Sequence, residues 1–206
     1  MMPTPPPLSC HTLWQIDADT YIASAIFEAH TTPSTLKHTQ SLAVRALLAW
    51  CLATIPALST LTLDERTFPY QLRTPTNLRA YDVCFSHSQH QVALIISAHP
   101  CAIDIELRPI SMTVARRFFH QHEVSHLTTL PTHQQALLCC QLWRLKECFI
   151  KLRHHTLTLG MSQNHADFLP LLMTHRPQTL TTLTPSLSFW AHDTLLALIE
   201  KPIAPT

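Results

Sequence analysis

The sequence contains one glycine, Gly160, in 206 residues, whereas average usage is about 7%. Glycine adopts left-handed backbone conformations without steric cost, so this chain has almost none of that freedom. Its turns must therefore rely on Pro, Asn, Asp and Ser. A glycine-rich loop that wraps a phosphate group is also excluded. Any recognition of phosphate must use other groups.

Composition favours a folded protein without a nucleic-acid partner. Hydrophobic residues make up 46% of the chain, which is enough for a packed core of one domain or two small ones. The formal net charge is +1, and charged residues make up 13%, about half the usual share. No basic stripe indicates a nucleic-acid surface, and no acidic tail indicates a solvated arm.

The chain shows no targeting or membrane signal. The proline-rich residues 1–8 lack the basic and apolar regions of a secretory signal. The longest apolar stretch, residues 42–63, is interrupted by Arg45 and Pro56, so no membrane span is predicted. Seven cysteines without Cys-x-x-Cys spacing predict reduced, mostly buried thiols. We expect a soluble, cytoplasmic protein, in which the fifteen histidines, except His87, reflect compositional bias.

The predicted fold class is α+β, with a boundary near Pro100 that separates residues 1–99 from 100–206. The first half is predicted to contain a strand at 13–16, a helix at 37–54, and paired strands at 83–85 and 92–97 joined by a turn at 86–91. The second half is predicted to contain a strand at 101–107, a helix begun by Ser111, a short helix at 123–127, a long helix after Pro131, and strands at 188–190 and 195–200. Strand, helix and strands thus occur twice, which suggests two similar lobes with a site at their junction.

The long helix carries the clearest local signals. Thr132 followed by Gln135 is the spacing of a capping box. An apolar stripe steps along the helix by three and four residues, which predicts its packed face: Leu138, Leu142, Leu145, Phe149 and Leu152. Glu147 and Lys151 lie off this stripe, so we expect both side chains to face a cleft.

Two short strings carry the candidate chemistry. In Ala102-Ile103-Asp104-Ile105-Glu106, a strand would place Asp104 and Glu106 on one face. In the string from Trp143 to Lys151, a helix would place Glu147 and Lys151 on one face. Either pair alone is usually a polar edge or a surface ion pair. Together they supply three carboxylates and an ammonium group, which suit Mg²⁺ and a phosphate ester or anhydride.

These strings resemble the 4′-phosphopantetheinyl transferases, in particular the two-lobed surfactin-synthetase-activating type. The resemblance covers residues 81–160 and also includes Phe85-Ser86-His87-Ser88 and Ala115-Arg116-Arg117-Phe118-Phe119 with Glu123. A weaker match, Ser41 to Leu48, looks like the helix of the family's N-terminal lobe. The chain departs from the family pattern at Ala102, where members usually carry glycine, and at Cys84, where asparagine is common. The family's N-lobe Gly-Lys-Pro element is not recognisable.

The resemblance implies a reaction and a role for each residue. A serine of an apo carrier protein would attack the β-phosphate of coenzyme A, so that the phosphopantetheine arm is transferred and 3′,5′-ADP leaves. The implied Mg²⁺ ligands, with Mn²⁺ left open, are Asp104, Glu106 and Glu147. The implied coenzyme contacts are His87 at the 3′-phosphate, Ser86 beside it, Arg45 as added positive charge, Lys151 at the pyrophosphate, and Lys146 at the phosphates or the carrier protein. Lys151 would also stabilise or protonate the departing 3′,5′-ADP. Glu147, directly or through water, could accept the serine proton.

The partner and two other functions stay open at this point. Fatty-acid, polyketide and peptide-synthetase carriers are all compatible with the sequence, and the two-lobed family pattern implies a monomer. One alternative is a catalytically weak paralogue that docks carrier proteins. The other is a Mg²⁺-dependent hydrolase of nucleotide phosphates that uses the same carboxylates.

Overall fold

The computed structural model describes residues 5–28, 33–175 and 177–202, so part of the proline-rich start lies outside the described residues. The chain divides into two units, Met1–Ile105 and Glu106–Thr206. Antiparallel sheets and helices make the fold α+β, as the sequence predicts. Among the described residues, no helix has both the length and the apolar character needed to cross a membrane.

The first unit contains a six-stranded antiparallel sheet in the order β1-β2-β6-β5-β4-β3. Its strands are β1 (Leu8–Asp17), β2 (Thr20–Phe27), β3 (Thr62–Asp64), β4 (Tyr70–Arg73), β5 (Arg79–Ser88) and β6 (Gln91–Ser97). Helix α1 (Pro33–Thr54) packs against this sheet, and Ala43, Leu47 and Cys51 are completely buried in the shared core. The sequence pattern did not predict β2, because a central strand buried on both sides lacks the alternation that marks a half-exposed strand.

The hairpin of β5 and β6 differs from its predicted form. A turn is predicted over residues 86–91, but β5 continues to Ser88 and pairs with β6 up to Gln91, so only Gln89 and His90 form the turn. The prediction is wrong because serine was taken as a turn residue. Here the Ser86 side chain is buried and hydrogen-bonded within the unit, which stabilises its place in the strand.

Several residues other than glycine adopt the left-handed backbone conformation that glycine usually occupies. Six described residues other than glycine have a positive φ between 47° and 63°: Cys10, Asn77, Gln89, His154, Gln178 and Asp193. Asn77 and Asp193 agree with the predicted use of Asn and Asp, whereas the other four residues do not. A left-handed conformation costs an ordinary L-residue roughly 1–2 kcal/mol, so the surrounding fold must offset this cost at each of these positions.

The boundary between the units falls later than the predicted 99/100. Strand β7 (Cys101–Ile105) belongs to the first unit because it packs against β5 and β6. All five of its residues are buried. The second unit therefore begins at Glu106, and the first unit keeps Asp104.

The second unit consists of helices followed by an antiparallel meander. The helices are α2 (Met112–Phe118), α3 (Gln121–Thr128), α4 (Thr132–Arg153), α5 (Leu157–Ser162) and α6 (Leu169–Thr174). Strands β8 (Leu180–Thr184), β9 (Leu187–His192) and β10 (Leu195–Glu200) follow, with β9 paired to both of the others. The stripe of α4 is confirmed as its packed face, since Leu138, Leu142 and Leu145 are buried.

Two predicted helix starts have different outcomes. Ser111 caps α2 as predicted, because its hydroxyl accepts a hydrogen bond from the Val114 N–H at 3.3 Å. The capping box predicted at Thr132 and Gln135 is wrong: Pro131 precedes the helix, and the Gln135 amide donates instead to the carbonyl of Leu130 at 2.7 Å. A capping box occurs at α3, where Glu123 accepts from the N–H of His120.

The cysteine prediction is confirmed. All seven cysteines are free thiols, and five of them are buried: Cys51, Cys84, Cys101, Cys139 and Cys148. Burial raises the pKa of Cys51 to about 12 and that of Cys139 to about 11. These thiols are therefore neutral at pH 7 and behave as small apolar side chains.

Gly160 occupies a position where α5 lies very close to α4. A Cβ atom at residue 160 would lie 2.0 Å from Cγ1 and 2.8 Å from Cδ1 of Ile150. Both distances are far below van der Waals contact, and Gly160 is buried. The one glycine of the chain is thus required by close packing of two helices, not by a turn.

We expect Gly160→Ala to lower the free energy of unfolding by about 1–3 kcal/mol, because the added methyl group overpacks this contact. Urea denaturation would measure the change. Ser162→Ala, an exposed change on the same helix, is the control and should stay within about 0.5 kcal/mol of the original protein. Equal stability of the two variants would contradict the close-packing role.

Candidate functional site

In the first unit, Ser86 and Asp104 form a buried hydrogen-bonded pair. The Ser86 hydroxyl donates to Oδ1 of Asp104 at 2.9 Å and accepts from the N–H of Ile105 at 3.2 Å. Ser86 is 7% and Asp104 6% exposed. The pair holds the end of β7 against β5 and orients the Asp104 carboxylate. The Ser86 side chain thus bonds both to Asp104 and to β7, the strand that carries Asp104.

His87 follows Ser86 and is exposed, as expected from the alternation of side chains along a strand. Its imidazole is accessible to a ligand from solvent, which is compatible with the predicted contact to a phosphate group.

Arg45 lies on α1 and is 41% exposed. Its guanidinium donates to both carboxylate oxygens of Glu65, at 3.2 and 2.5 Å, and to the hydroxyl of Ser41 at 2.5 Å. A phosphate group would therefore compete with Glu65 for this cation. The sequence pattern did not indicate Glu65, because it is 20 residues from Arg45.

Glu106 begins the second unit and is 9% exposed. Its carboxylate accepts from the N–H of Arg108 at 2.8 Å and from the Arg108 guanidinium at 3.4 Å. Its own N–H donates to the carbonyl of Thr194 at 3.2 Å, so the turn between β9 and β10 fixes its backbone.

Glu147 and Lys151 lie one helical turn apart on α4, and both are half-buried. The helix is rigidly held, since Leu145 and Cys148 are completely buried beside them. The two side chains thus project from a well-packed element, as a site for phosphate chemistry would require.

Lys146 differs most from its sequence-based prediction. The pattern predicts a contact with phosphates or a carrier protein, but Lys146 is 0% exposed. Its ammonium group lies 2.9 Å from Oε1 of Glu123, which is also completely buried. It donates further hydrogen bonds to the carbonyls of Met161 at 2.9 Å and Gln163 at 2.6 Å. Three acceptors engage the three N–H donors of an ammonium group, so Lys146 serves to hold α4 in place.

The Glu123 carboxylate joins three segments of the second unit. It pairs with Lys146 of α4, accepts from the N–H of His120 at 2.9 Å, and accepts from the N–H of His165 at 2.7 Å. Burial lowers the pKa of Lys146, and the hydrogen bond and charge of Glu123 oppose that shift. The resemblance of the sequence to the family includes Glu123 but assigns it no role; the signal in the sequence is its place after Phe118-Phe119.

The His165 ring lies against aromatic side chains beside this ion pair. It stacks on Phe149 with a centroid distance of 4.4 Å and lies 5.9 Å from the ring of Phe168. Burial, and then the positive charge of Lys146, lower the pKa of His165 to about 4. The imidazole is therefore neutral at pH 7 and packs as an aromatic ring.

We expect Lys146→Met to lower the free energy of unfolding by about 3–5 kcal/mol, because it leaves the buried Glu123 carboxylate without its counter-charge. Adding Glu123→Gln should recover part of this loss. Urea denaturation would measure both variants, with Lys37→Met as the exposed control. A Lys146→Met protein as stable as the control would argue against the structural role.

The predicted metal ligands are divided between the units, with Asp104 in the first and Glu106 and Glu147 in the second. Within the described ranges, no group of three or more His, Cys, Asp or Glu side chains is arranged to hold a metal ion. The donor chemistry itself fits a hard divalent cation, because all three side chains offer carboxylate oxygens. Asp104 and Glu106 are also buried, where an opposite charge would offset the cost of desolvation.

Comparison with known proteins finds similarity in the second half of the chain. Residues 100–199 match the family model of the 4′-phosphopantetheinyl transferase superfamily. The 4′-phosphopantetheinyl transferase psf-1 of Bacillus pumilus is 37% identical over 78 residues, which cover 37% of this chain and 34% of the relative. The 4′-phosphopantetheinyl transferase Sfp of Bacillus subtilis (strain 168) is 39% identical over 77 residues, covering 37% and 34%.

A third relative, the 4′-phosphopantetheinyl transferase gsp of Aneurinibacillus migulanus, is 38% identical over 74 residues, covering 34% of this chain and 31% of its own length. The matched region of the chain thus spans about a third of the length of these curated relatives. The family match includes both strings that carry the candidate carboxylates and Lys151.

Proposed function

Because residues 100–199 of this chain belong to the 4′-phosphopantetheinyl transferase superfamily, we propose that it transfers the 4′-phosphopantetheine arm of coenzyme A to an apo carrier protein. The observation that carries the proposal is that the matched range contains Asp104, Glu106, Glu147 and Lys151, the residues to which the sequence resemblance assigns metal and pyrophosphate binding. The acceptor is a serine of an acyl or peptidyl carrier protein, and 3′,5′-ADP is the second product.

The proposed reaction is a displacement at phosphorus. The serine Oγ forms a bond to the β-phosphate of coenzyme A, and the bond from that phosphate to the departing 3′,5′-ADP breaks. The serine proton passes to a carboxylate, for which Glu147 is the candidate, directly or through water. Such a reaction needs little covalent help from the protein, so positioning and neutralisation of charge supply most of the catalysis.

In this proposal, Asp104, Glu106 and Glu147 would hold Mg²⁺, whose bound charge neutralises the pyrophosphate oxygens. Ser86 supports the metal site by orienting Asp104 through their 2.9 Å hydrogen bond. Lys151 places a positive charge against the pyrophosphate and stabilises the leaving group. His87 binds the 3′-phosphate, and Arg45 contributes charge there in competition with Glu65.

We also propose the monomeric state and the cytoplasmic location expected of the family. Lys146 is left out of the coenzyme contacts because its ammonium group is buried against Glu123. Its contribution to catalysis is to position α4, which carries Glu147 and Lys151.

Incubation of the full chain with coenzyme A, Mg²⁺ and several apo carrier proteins tests the proposal. Intact mass spectrometry should show the gain of one phosphopantetheine arm on at least one carrier, and chromatography should show an equal amount of 3′,5′-ADP. No gain on any carrier despite coenzyme binding would favour a docking paralogue. Release of nucleotide without a carrier would favour a hydrolase.

We expect Glu147→Gln to lower kcat for transfer at least 100-fold, because the amide removes the charge needed for both a metal ligand and a proton acceptor. The fold should be retained, since Glu147 is half-buried and amide and carboxylate are similar in size. Initial rates and thermal denaturation would measure the two effects. Normal turnover by this variant would contradict the assignment of Glu147 to the catalytic site.

We expect His87→Ala to raise the KM for coenzyme A by about tenfold with a small effect on kcat, because the lost contact lies away from the reacting phosphate. The matched control is 3′-dephospho-coenzyme A, which lacks the group that His87 is proposed to bind. His87→Ala should change its KM little. An equal loss with both substrates would argue against the contact to the 3′-phosphate.

A further inference from the structure

The second unit contains a cleft between the first half of α4, helix α6 and the β9–β10 hairpin, with a volume of about 460 Å³. This volume falls within the range of small-molecule sites in proteins. None of the residues assigned to phosphopantetheine transfer lines the cleft. Its role is therefore separate from the proposed function.

The walls of the cleft are mainly apolar, and some of that surface is exposed. Nine of the fifteen lining residues are apolar, and they include Leu130, Leu138, Leu172, Phe189 and Leu196. Leu137 and Met173 also line the cleft, and they are 61% and 47% exposed. Large apolar side chains that surround a concave surface commonly mark a binding site.

The α4 wall is unusual in its lack of charge. Residues 132–143 contain no Asp, Glu, Lys or Arg, and the polar groups that this stretch contributes to the cleft are the amides of Gln134 and Gln141. A charged group there would have to be desolvated by a ligand, so the absence of charge favours an apolar occupant along this wall.

A buried cation lies where the apolar wall ends. Arg144 is 7% exposed and lines the cleft, and its guanidinium donates to the backbone carbonyl of Asp193 at 2.8 Å. Arginine stays charged at all relevant pH values and offers five N–H donors in a planar fork. One end of the cleft thus carries a permanent positive charge.

Three further titratable side chains line the same end of the cleft: His175, His192 and Asp193. The carboxylate of Asp193 is 78% exposed to water, with the ring of His192 at 3.4 Å. His175 bonds to Thr181 at 3.1 Å, and burial lowers its pKa, so it is neutral at pH 7. Of these three side chains, the acidic one, Asp193, thus lies largely in solvent at the edge of the cleft.

We propose that this cleft binds a medium-chain carboxylic acid, with its alkyl chain along the apolar wall of α4 and its carboxylate at Arg144. Removal of the chain from water provides affinity in proportion to the buried area. The guanidinium–carboxylate pair provides direction and preference for an anion. This inference is independent of the transferase proposal, because its test measures binding in the absence of coenzyme A and carrier protein.

Isothermal titration calorimetry of the full chain with decanoate below its micelle concentration tests the proposal. We expect saturable binding of one decanoate, at least tenfold tighter than binding of 1-decanol or decylammonium. Absence of saturable decanoate binding overturns the proposal. Equal affinities for decanoate and 1-decanol overturn the assignment of the carboxylate to Arg144.

Two variants locate the binding. Leu137→Glu places a negative charge at the cleft and should weaken decanoate binding about tenfold, whereas Leu78→Glu, at a 67% exposed position of the first unit, should not change it. Equal decanoate binding by these two variants overturns the location.

Arg144→Met should remove the preference for decanoate over 1-decanol. Circular dichroism would show whether this buried change impairs folding. If it does, the Leu137→Glu comparison and the comparison of the three ligands decide the proposal.

Discussion

The second unit depends on one buried ion pair. Glu123 and Lys146 are both completely buried, so neither charge can be hydrated, and each is stabilised by the other and by backbone groups. The ammonium group reaches the carbonyls of Met161 and Gln163, and the carboxylate reaches the N–H groups of His120 and His165. The pair thus ties α4 to the start of α3, to the end of α5 and to the segment after α5. Because Glu147 is the next residue on α4, this interaction determines how rigidly the candidate catalytic helix is held.

The first unit uses a neutral donor to orient its candidate carboxylate. The Ser86 hydroxyl bonds both to Asp104 and to the backbone N–H of Ile105, so one side chain fixes the position of the acid and of its strand. The two units therefore orient their candidate side chains by different means. In both units, a buried polar contact between elements that are distant in sequence holds a candidate catalytic side chain, or the helix that carries it, in place.

Much of the fold was predictable from local pattern. The apolar stripe of α4, the Ser111 cap of α2 and the buried free thiols follow from periodicity, capping chemistry and composition, which act over a few residues. Strand β2 was missed because burial on both faces removes the alternation that marks a strand. The turn at 86–91 and the capping box at Thr132 were wrong because serine, threonine and glutamine each have several possible partners, and the tertiary contacts select among them.

The sequence by itself determined the candidate acids Asp104, Glu106 and Glu147 with Lys151, and the match of residues 100–199 to the superfamily model, because these depend on residue types and their spacing. Only the tertiary structure decided that Lys146 is a buried partner of Glu123 and not an exposed contact for phosphate. Adjacent helix positions point in different directions, and which of them is buried depends on elements that pack from elsewhere in the chain. Gly160 is a second example. The sequence shows that glycine is rare in this chain, but the need for glycine at residue 160 arises from Ile150, ten residues away on another helix.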